Sequence, residues 1–298
     1  IILTSNANQF GKSISIFEQA VRSVKFNNPS DSPNTSETRV LKIKVKDADV
    51  AATSKSDSKN KLSNEVTFNL NVVGKNDIPS VSSSGDISYN EGSGEGLILA
   101  NASIADPDNT NDNIIPKKAI IKIIGGYRIG EDFISLKTGY TIPSGLTATF
   151  NAEDGTFNIE NSSSSSATMS DLENVLKKVV YTNNSQDPSK DNRDLSITIV
   201  DDEEAASNIL LKKIAVSPLN DDPTIDLDGL EGSVKKGQDI STPFIGSVHT
   251  KGAQIAPRAK IEDPDGSNLS KLVVSITNPV SDNNSSGVAD TLALLTKV

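Results

Sequence analysis

The sequence predicts an all-β chain of tandem antiparallel β-sandwiches with one short helix per repeat, and three observations predict it. Short runs that alternate or stay apolar between turn residues recur along the 298 residues. No regular series of helices separates these runs, which favours sheet packed on sheet. The pattern is also written more than once, and a repeat decides the architecture before any single residue does.

The stretch VVGKNDIPSV, 72–81, returns as VSPLNDDPTI, 216–225, with a strand ending, Asn-Asp and Pro in the same order. Upstream of each, Ser15, Glu18, Val21, Val24, Phe26, Asn28 and Pro33 fall on Ser170, Glu173, Leu176, Val179, Tyr181, Asn183 and Pro188 at a constant offset of 155. Arg39 and Asp47 match Arg193 and Asp201 after a one-residue slip. A longer segment in the first copy, AATSKSDSKNKLSNEV against EAASNIL, brings the offset to 144 at the Asn-Asp-Pro joints. Exposed hairpin loops tolerate insertions of that kind. A third block, IADPDN from Ile104 and IEDPDG from Ile261, matches at 157. The chain therefore divides into residues 1–79, the later part of one repeat; 80–223, a complete repeat; and 224–298, the opening part of a third.

In chain order, the expected strands are VLKIKVKD, VTFNLNVVG, AIIKIIGG, TATFNAEDGTFNIE, LSITIVDD, ILLKKIAVS and KLVVSITN. Asp154-Gly155 between two alternating runs signals a hairpin. Ser15-x-x-Glu18 and Ser170-x-x-Glu173 have the form of capping boxes. Leu172, Val175, Leu176 and Val179 then follow at helical spacing and predict a helix packed on the sandwich. The polar tract ENSSSSSATMS, 160–170, reads as the loop before it.

Composition narrows the function. A net charge of -10 argues against nucleic acid and anionic membrane surfaces, which require clustered Lys and Arg. Zero cysteines remove disulfides, thiolate metal sites and a Cys nucleophile, and fit a bacterial surface protein or a cytosolic one. No apolar run is long enough to insert in a membrane. The first residues, IILTSNANQFGK, lack the basic start and apolar stretch of a signal peptide and read as the interior of a longer chain. No phosphate loop, Gly-x-Ser-x-Gly or His-Glu-x-x-His occurs, and the single histidine, His249, sits in a polar context. A non-catalytic protein is expected.

The acidic residues gather near the joints. Calcium takes six to eight oxygen ligands, several of them carboxylates. For the first joint the candidates are Asp47, Asp49, Asn76, Asp77, Glu91, Asp106 and Asp108; for the second they are Asp201, Asp202, Asn220, Asp221, Asp222, Asp263 and Asp265. In an Ig-like sandwich the strand-end loops of one unit face the first loops of the next, so a linker Asp could share an ion with both. Asp and Asn beside Pro and Gly are also ordinary turn formers; their repetition in order favours Ca2+.

The order FEQAVRSVKFNNPSDSPNTSETRVLKIKVKD…VTFNLNVVGKNDIPSV, with its copy LENVLKKVVYTNNSQDPSKDNRDLSITIVDD…LNDDP, resembles the cadherin-like tandem repeats of large bacterial surface adhesins, including those of the RTX type. That resemblance implies an extracellular, calcium-rigidified stalk whose partners are the neighbouring repeats of the same chain, with host or surface ligands bound by other domains. Two departures reduce the implied ligand set. Gly74 and Pro218 stand where cadherin linkers have a leading Asp, and SVKKGQ of the third unit puts Lys where the second has Glu91. The Gly- and Asp-rich RTX nonapeptide is absent. The alternative is a ligand-binding β-sandwich module for carbohydrate or protein, for which exposed aromatics would be the signal. There is no Trp, and of Tyr89, Tyr127, Tyr140 and Tyr181 the last matches Phe26 and is expected in the core.

Overall fold

A computed structural model describes residues 1–2, 4, 13–46, 62–109, 115–162, 167–229, 243–245, 252–266, 268–277 and 290–293. The fold is mostly β. Contacts divide the chain into two compact units, 1–217 and 218–298. In the first, helix α1 (Ile14–Ser23) precedes the hairpin β1 (Arg39–Ile43) and β2 (Val66–Leu70).

Next come β3 (Ser80–Ser82), β4 (Ile87–Asn90), β5 (Gly96–Leu97), β6 (Ser103–Ala105), β7 (Pro116–Gly125), β8 (Asp132–Leu136), β9 (Leu146–Asn151) and β10 (Thr156–Asn161). Helix α2 (Met169–Leu176), β11 (Val179–Asn183), β12 (Arg193–Asp201) and β13 (Leu210–Ser217) complete this region. A six-stranded sheet runs β4-β13-β12-β7-β10-β9, and a three-stranded sheet runs β5-β11-β8. Their ladders are antiparallel except for β4 with β13, which is parallel.

The two sheets and α2 share one core. Ala119, Ile121 and Ile123 of β7 alternate inward beside Leu195, Ile197 and Ile199 of β12; Val179 and Tyr181 of β11 and Leu172, Val175 and Leu176 of α2 complete it. Burying such side chains is worth roughly 1.5–3 kcal/mol each. The β9–β10 hairpin forms where Asp154-Gly155 predicted it, with Gly155 at φ +69, against the Tyr127 ring. A Cβ there would meet that ring at 3.0 Å.

The helix start differs from expectation. The capping box of α2 is Thr168 with Asp171, two residues before Ser170 and Glu173. This leaves Glu173 to accept from the Ile104 N–H at 2.9 Å and from Lys177 at 2.6 Å, fastening the helix to β6. Val179 belongs to β11 rather than to the helix. In α1, Ser15 lies inside the helix, and the N-cap Ser13 makes no side-chain capping bond.

The second unit contains β14 (Thr224–Asp226) paired antiparallel with β15 (Lys260–Glu262). KLVVSITN forms no assigned strand over its described residues.

Strand register is the same in both members of two sequence-matched pairs. Arg39 faces Leu70 and Ile43 faces Val66, while Arg193 faces Ile214 and Ile197 faces Leu210. Ser80 faces Ala105 and Ser82 faces Ser103, while Thr224 faces Glu262 and Asp226 faces Lys260. Because a one-residue slip would turn every side chain to the opposite face, equal register preserves the same inward set.

Candidate functional site

The Asp-Pro-Asp segment after β6 forms a tight turn in which the Asp108 N–H donates to Asp106 Oδ1 at 2.9 Å. Asp108 Oδ2 in turn accepts the Asp77 N–H at 2.7 Å, so a side chain of the loop holds the main chain of the preceding linker. Asn76 Nδ2 donates to Asp201 Oδ2 at 2.9 Å. Asp201 is fully buried at the end of β12, and its Oδ1 accepts the Ala205 N–H at 2.8 Å.

Asp106 Oδ2 is buried without a hydrogen-bond donor among the described residues. Burial, followed by the neighbouring carboxylates of Asp108, Asp201 and Asp77, holds the Asp106 carboxyl above its ordinary range, against the Asp108 N–H that favours the ionised form.

The loop-to-linker bond recurs in the second unit. The Asp265 N–H donates to Asp263 Oδ1 at 3.2 Å, and the Asp221 N–H donates to Asp265 Oδ2. Asp221 Oδ2 is likewise buried without a donor among the described residues, while Asn220 Nδ2 bonds the Asp221 carbonyl at 3.0 Å. Asp222 and Asn220 are exposed.

Two assignments change. Asp201, grouped from sequence with the second joint, stands with Asn76 and Asp106 at the upstream end of the sandwich; Asp202 beside it is exposed. Glu91, grouped with the first joint, lies at the downstream end, where its N–H donates to the carbonyl of Ser217 at 3.0 Å. The antiparallel pairing of β12 with β13 sets Asp201 at the end opposite Ser217, and the parallel pairing of β4 with β13 sets Glu91 beside Ser217. Asp47, Asp49 and His249 lie outside the described residues.

An all-oxygen donor set containing several carboxylates suits a hard divalent cation. The buried acceptor of Asp106 is an atom such an ion would satisfy. The carboxylates are nevertheless engaged with N–H donors, and no group of three or more metal-binding side chains converges among the described residues. The residues thus supply oxygen donors of the kind a hard cation takes, and among the described residues they do not converge into a coordination shell.

A buried polar cluster went unread in the sequence. Arg193, fully buried, donates through Nε to both oxygens of Asp132 at 2.9 and 3.1 Å. Asp132 also accepts from the Tyr181 hydroxyl at 2.5 Å, Asn183 Nδ2 at 2.7 Å and the Arg128 N–H at 2.7 Å. The matched pair Arg39 and Arg193 was the visible signal, but its acidic partner lies in the half of the repeat written once in full. Tyr127 and Tyr140 pack against the core, and the Tyr127 hydroxyl donates to the Ala152 carbonyl at 2.6 Å. These contacts account for both rings structurally.

No protein-family model matches the chain, and no curated protein matches it. Among solved structures, one described as the GspB Siglec domain is similar at 9% identity with a TM-score of 0.19. The match covers 49% of this chain and 60% of that one, so the chain spans less than two thirds of it. Among the described residues no helix is long and apolar enough to cross a membrane.

Proposed function

We propose that the chain is a calcium-rigidified spacer of a bacterial cell-surface adhesin, built from tandem cadherin-like sandwiches of the Ig-like type, structural rather than catalytic. The observation that carries the reading is the twice-built lock between Asp-Pro-Asp loop and linker, Asp108 on Asp77 and Asp265 on Asp221, with a buried unpaired carboxylate oxygen at each. Equal register in the sequence-matched strand pairs supports the tandem repeat.

At the first joint Asn76, Asp77, Asp106, Asp108 and Asp201 would hold the ion; at the second, Asn220, Asp221, Asp263 and Asp265 would supply the corresponding oxygens. A bound divalent cation would supply the positive charge that these crowded carboxylates lack. The residues themselves hold the linker main chain against the loop, which restricts bending at the joint. Neighbouring repeats are the partners, and the setting is extracellular, where calcium is plentiful enough for sites of about 10⁻⁴ to 10⁻³ M affinity.

Thermal unfolding of the 298-residue chain in EDTA, CaCl2 and MgCl2 tests the reading. At ten times Kd, one calcium site stabilises by roughly 1.4 kcal/mol. The melting temperature is expected to rise with calcium specifically, and Asp77→Ala with Asp106→Ala is expected to abolish the rise. An unchanged melting curve would leave Asn-Asp-Pro as a turn and the joints flexible.

A further inference from the structure

The glutamate of Ser-x-x-Glu is written in both copies of the pattern, yet it caps neither helix. In α2 the N-cap is Thr168 and its box partner is Asp171; in α1 the N-cap is Ser13 and Ser15 lies inside the helix, which takes Glu18 out of the capping position. The repeated residue therefore has another role, and the contacts of Glu173 supply one.

Strand β6 is 3 residues long and runs straight into Asp106-Pro107-Asp108. Its ladder to β3 joins only Ser103, Ile104 and Ala105 to that strand, and so short a pair holds its position poorly without further support. Opposite Ile104, Val81 turns its N–H and its carbonyl to the Asn208 side chain, so the Ile104 N–H points away from β3. Glu173 Oε2 accepts that N–H at 2.9 Å, and the Ser103 side chain bonds the same carboxylate. Lys177 holds the other oxygen at 2.6 Å. The carboxylate thus serves β6 as a neighbouring strand would. Its base is firm, because Leu172, Val175 and Leu176 of α2 are all 0% exposed.

Beyond Ala105 the contacts continue. Asp106 Oδ1 takes the Asp108 N–H, and Asp108 Oδ2 takes the Asp77 N–H. Short bonds therefore run from α2 through β6 and the loop to the main chain of the linker.

We infer that Glu173 is a positioning residue of the joint: by holding Ile104 and Ser103 it sets Asp108 against the Asp77 N–H and ties the linker to α2. This rests on the reading above of the loop-to-linker lock as the element that stiffens the joint, and it needs no ion.

Hydrogen exchange of single amides in the full chain, followed by NMR in EDTA, tests it. Glu173→Ala is expected to speed exchange at Ile104, Asp108 and Asp77 roughly tenfold or more, with Ile121 and Ile197 of the paired core strands unchanged. Glu173→Gln keeps an acceptor for the Ile104 N–H and should restore most of the protection. Asp108→Ala removes the acceptor of the Asp77 N–H; adding Glu173→Ala to it should leave Asp77 exchange where Asp108→Ala alone puts it, because the two residues act in series. Three results would each overturn the inference: Asp77 exchange within about twofold of the wild type in Glu173→Ala, equal acceleration at Ile121 and Ile197, or full additivity in the double variant. The calcium reading fails separately. A melting curve indifferent to calcium, with exchange as expected, would remove the ion and keep Glu173 in its role.

Discussion

Val21 and Leu176 hold the same place in two copies of one pattern, yet Val21 is 42% exposed and Leu176 is fully buried. Arg39 and Arg193 differ in the same way: the Arg39 guanidinium donates to the nearby Glu37 carbonyl, and that of Arg193 is sealed against Asp132. The difference lies in what surrounds them, since β1–β2 and β12–β13 pair in identical register. A strand pair can therefore be specified locally while its burial is specified by a distant half of the repeat. Local pattern sets register; the rest of the sandwich supplies the stabilisation.

The sharpest way to break this comparison is Asp132→Ala. Removing one partner of a buried ion pair leaves an uncompensated charge and is expected to cost about 3–5 kcal/mol, whereas Arg39→Ala should stay within about 0.5 kcal/mol. All four tyrosines lie in residues 80–217, so the tyrosine band of the near-ultraviolet circular dichroism during urea unfolding follows that region for Asp132→Ala, and hydrogen exchange in β1 and β2 follows Arg39→Ala. Equal losses from the two variants would show that the two arginines are not in different environments.

Next in size, Leu176→Ala should cost about 2–5 kcal/mol through lost contacts and a residual cavity. Val21→Ala should cost about 0.5 kcal/mol or less, read by hydrogen exchange in α1.

A smaller effect separates repulsion from ion binding. Asp106→Asn removes a partly buried charge that faces Asp108, Asp201 and Asp77, so in EDTA at neutral pH the variant should melt above the wild type. In calcium the order should reverse. A variant stabilised equally in both solutions would sink the assignment of Asp106 as a ligand.

Smallest is the pH dependence of Glu173. Burial raises its pKa, but bonds from Lys177 and the Ile104 N–H outweigh this and set it below 4.5. A carboxylate depressed on folding stabilises above its unfolded value and loses that contribution as pH falls through the folded value. Glu173→Gln should therefore narrow its deficit against the wild type below about pH 4.5, followed by urea titration. A constant difference across that range would remove the electrostatic role of Glu173.

Much of this was legible because strands are written in local patterns: the DG hairpin and the alternating β7 and β12 appear where the residues placed them. The misread parts depend on through-space neighbours. Thr168 displaced Ser170 as the helix cap because several Ser and Thr crowd that turn, and side-chain hydrogen bonding decides among them. Asp201 and Glu91 exchanged ends because sequence order does not say which end of a strand a residue occupies until its partner strand is known. Asp132 was invisible because its side chain acts across the core on residues more than forty positions away.

The one parallel ladder among the described residues has a mechanical meaning. Ile87–Asn90 of β4 lies beside Ile214–Ser217 of β13, with both strands running toward the downstream end. When tension pulls residue 80 and residue 217 apart, the two strands tend to slide along one another, and their four paired positions resist together in shear. An antiparallel hairpin pulled from its open end would instead unzip one bond at a time. The first and last long-sheet strands of this region thus form a clamp across the line of force.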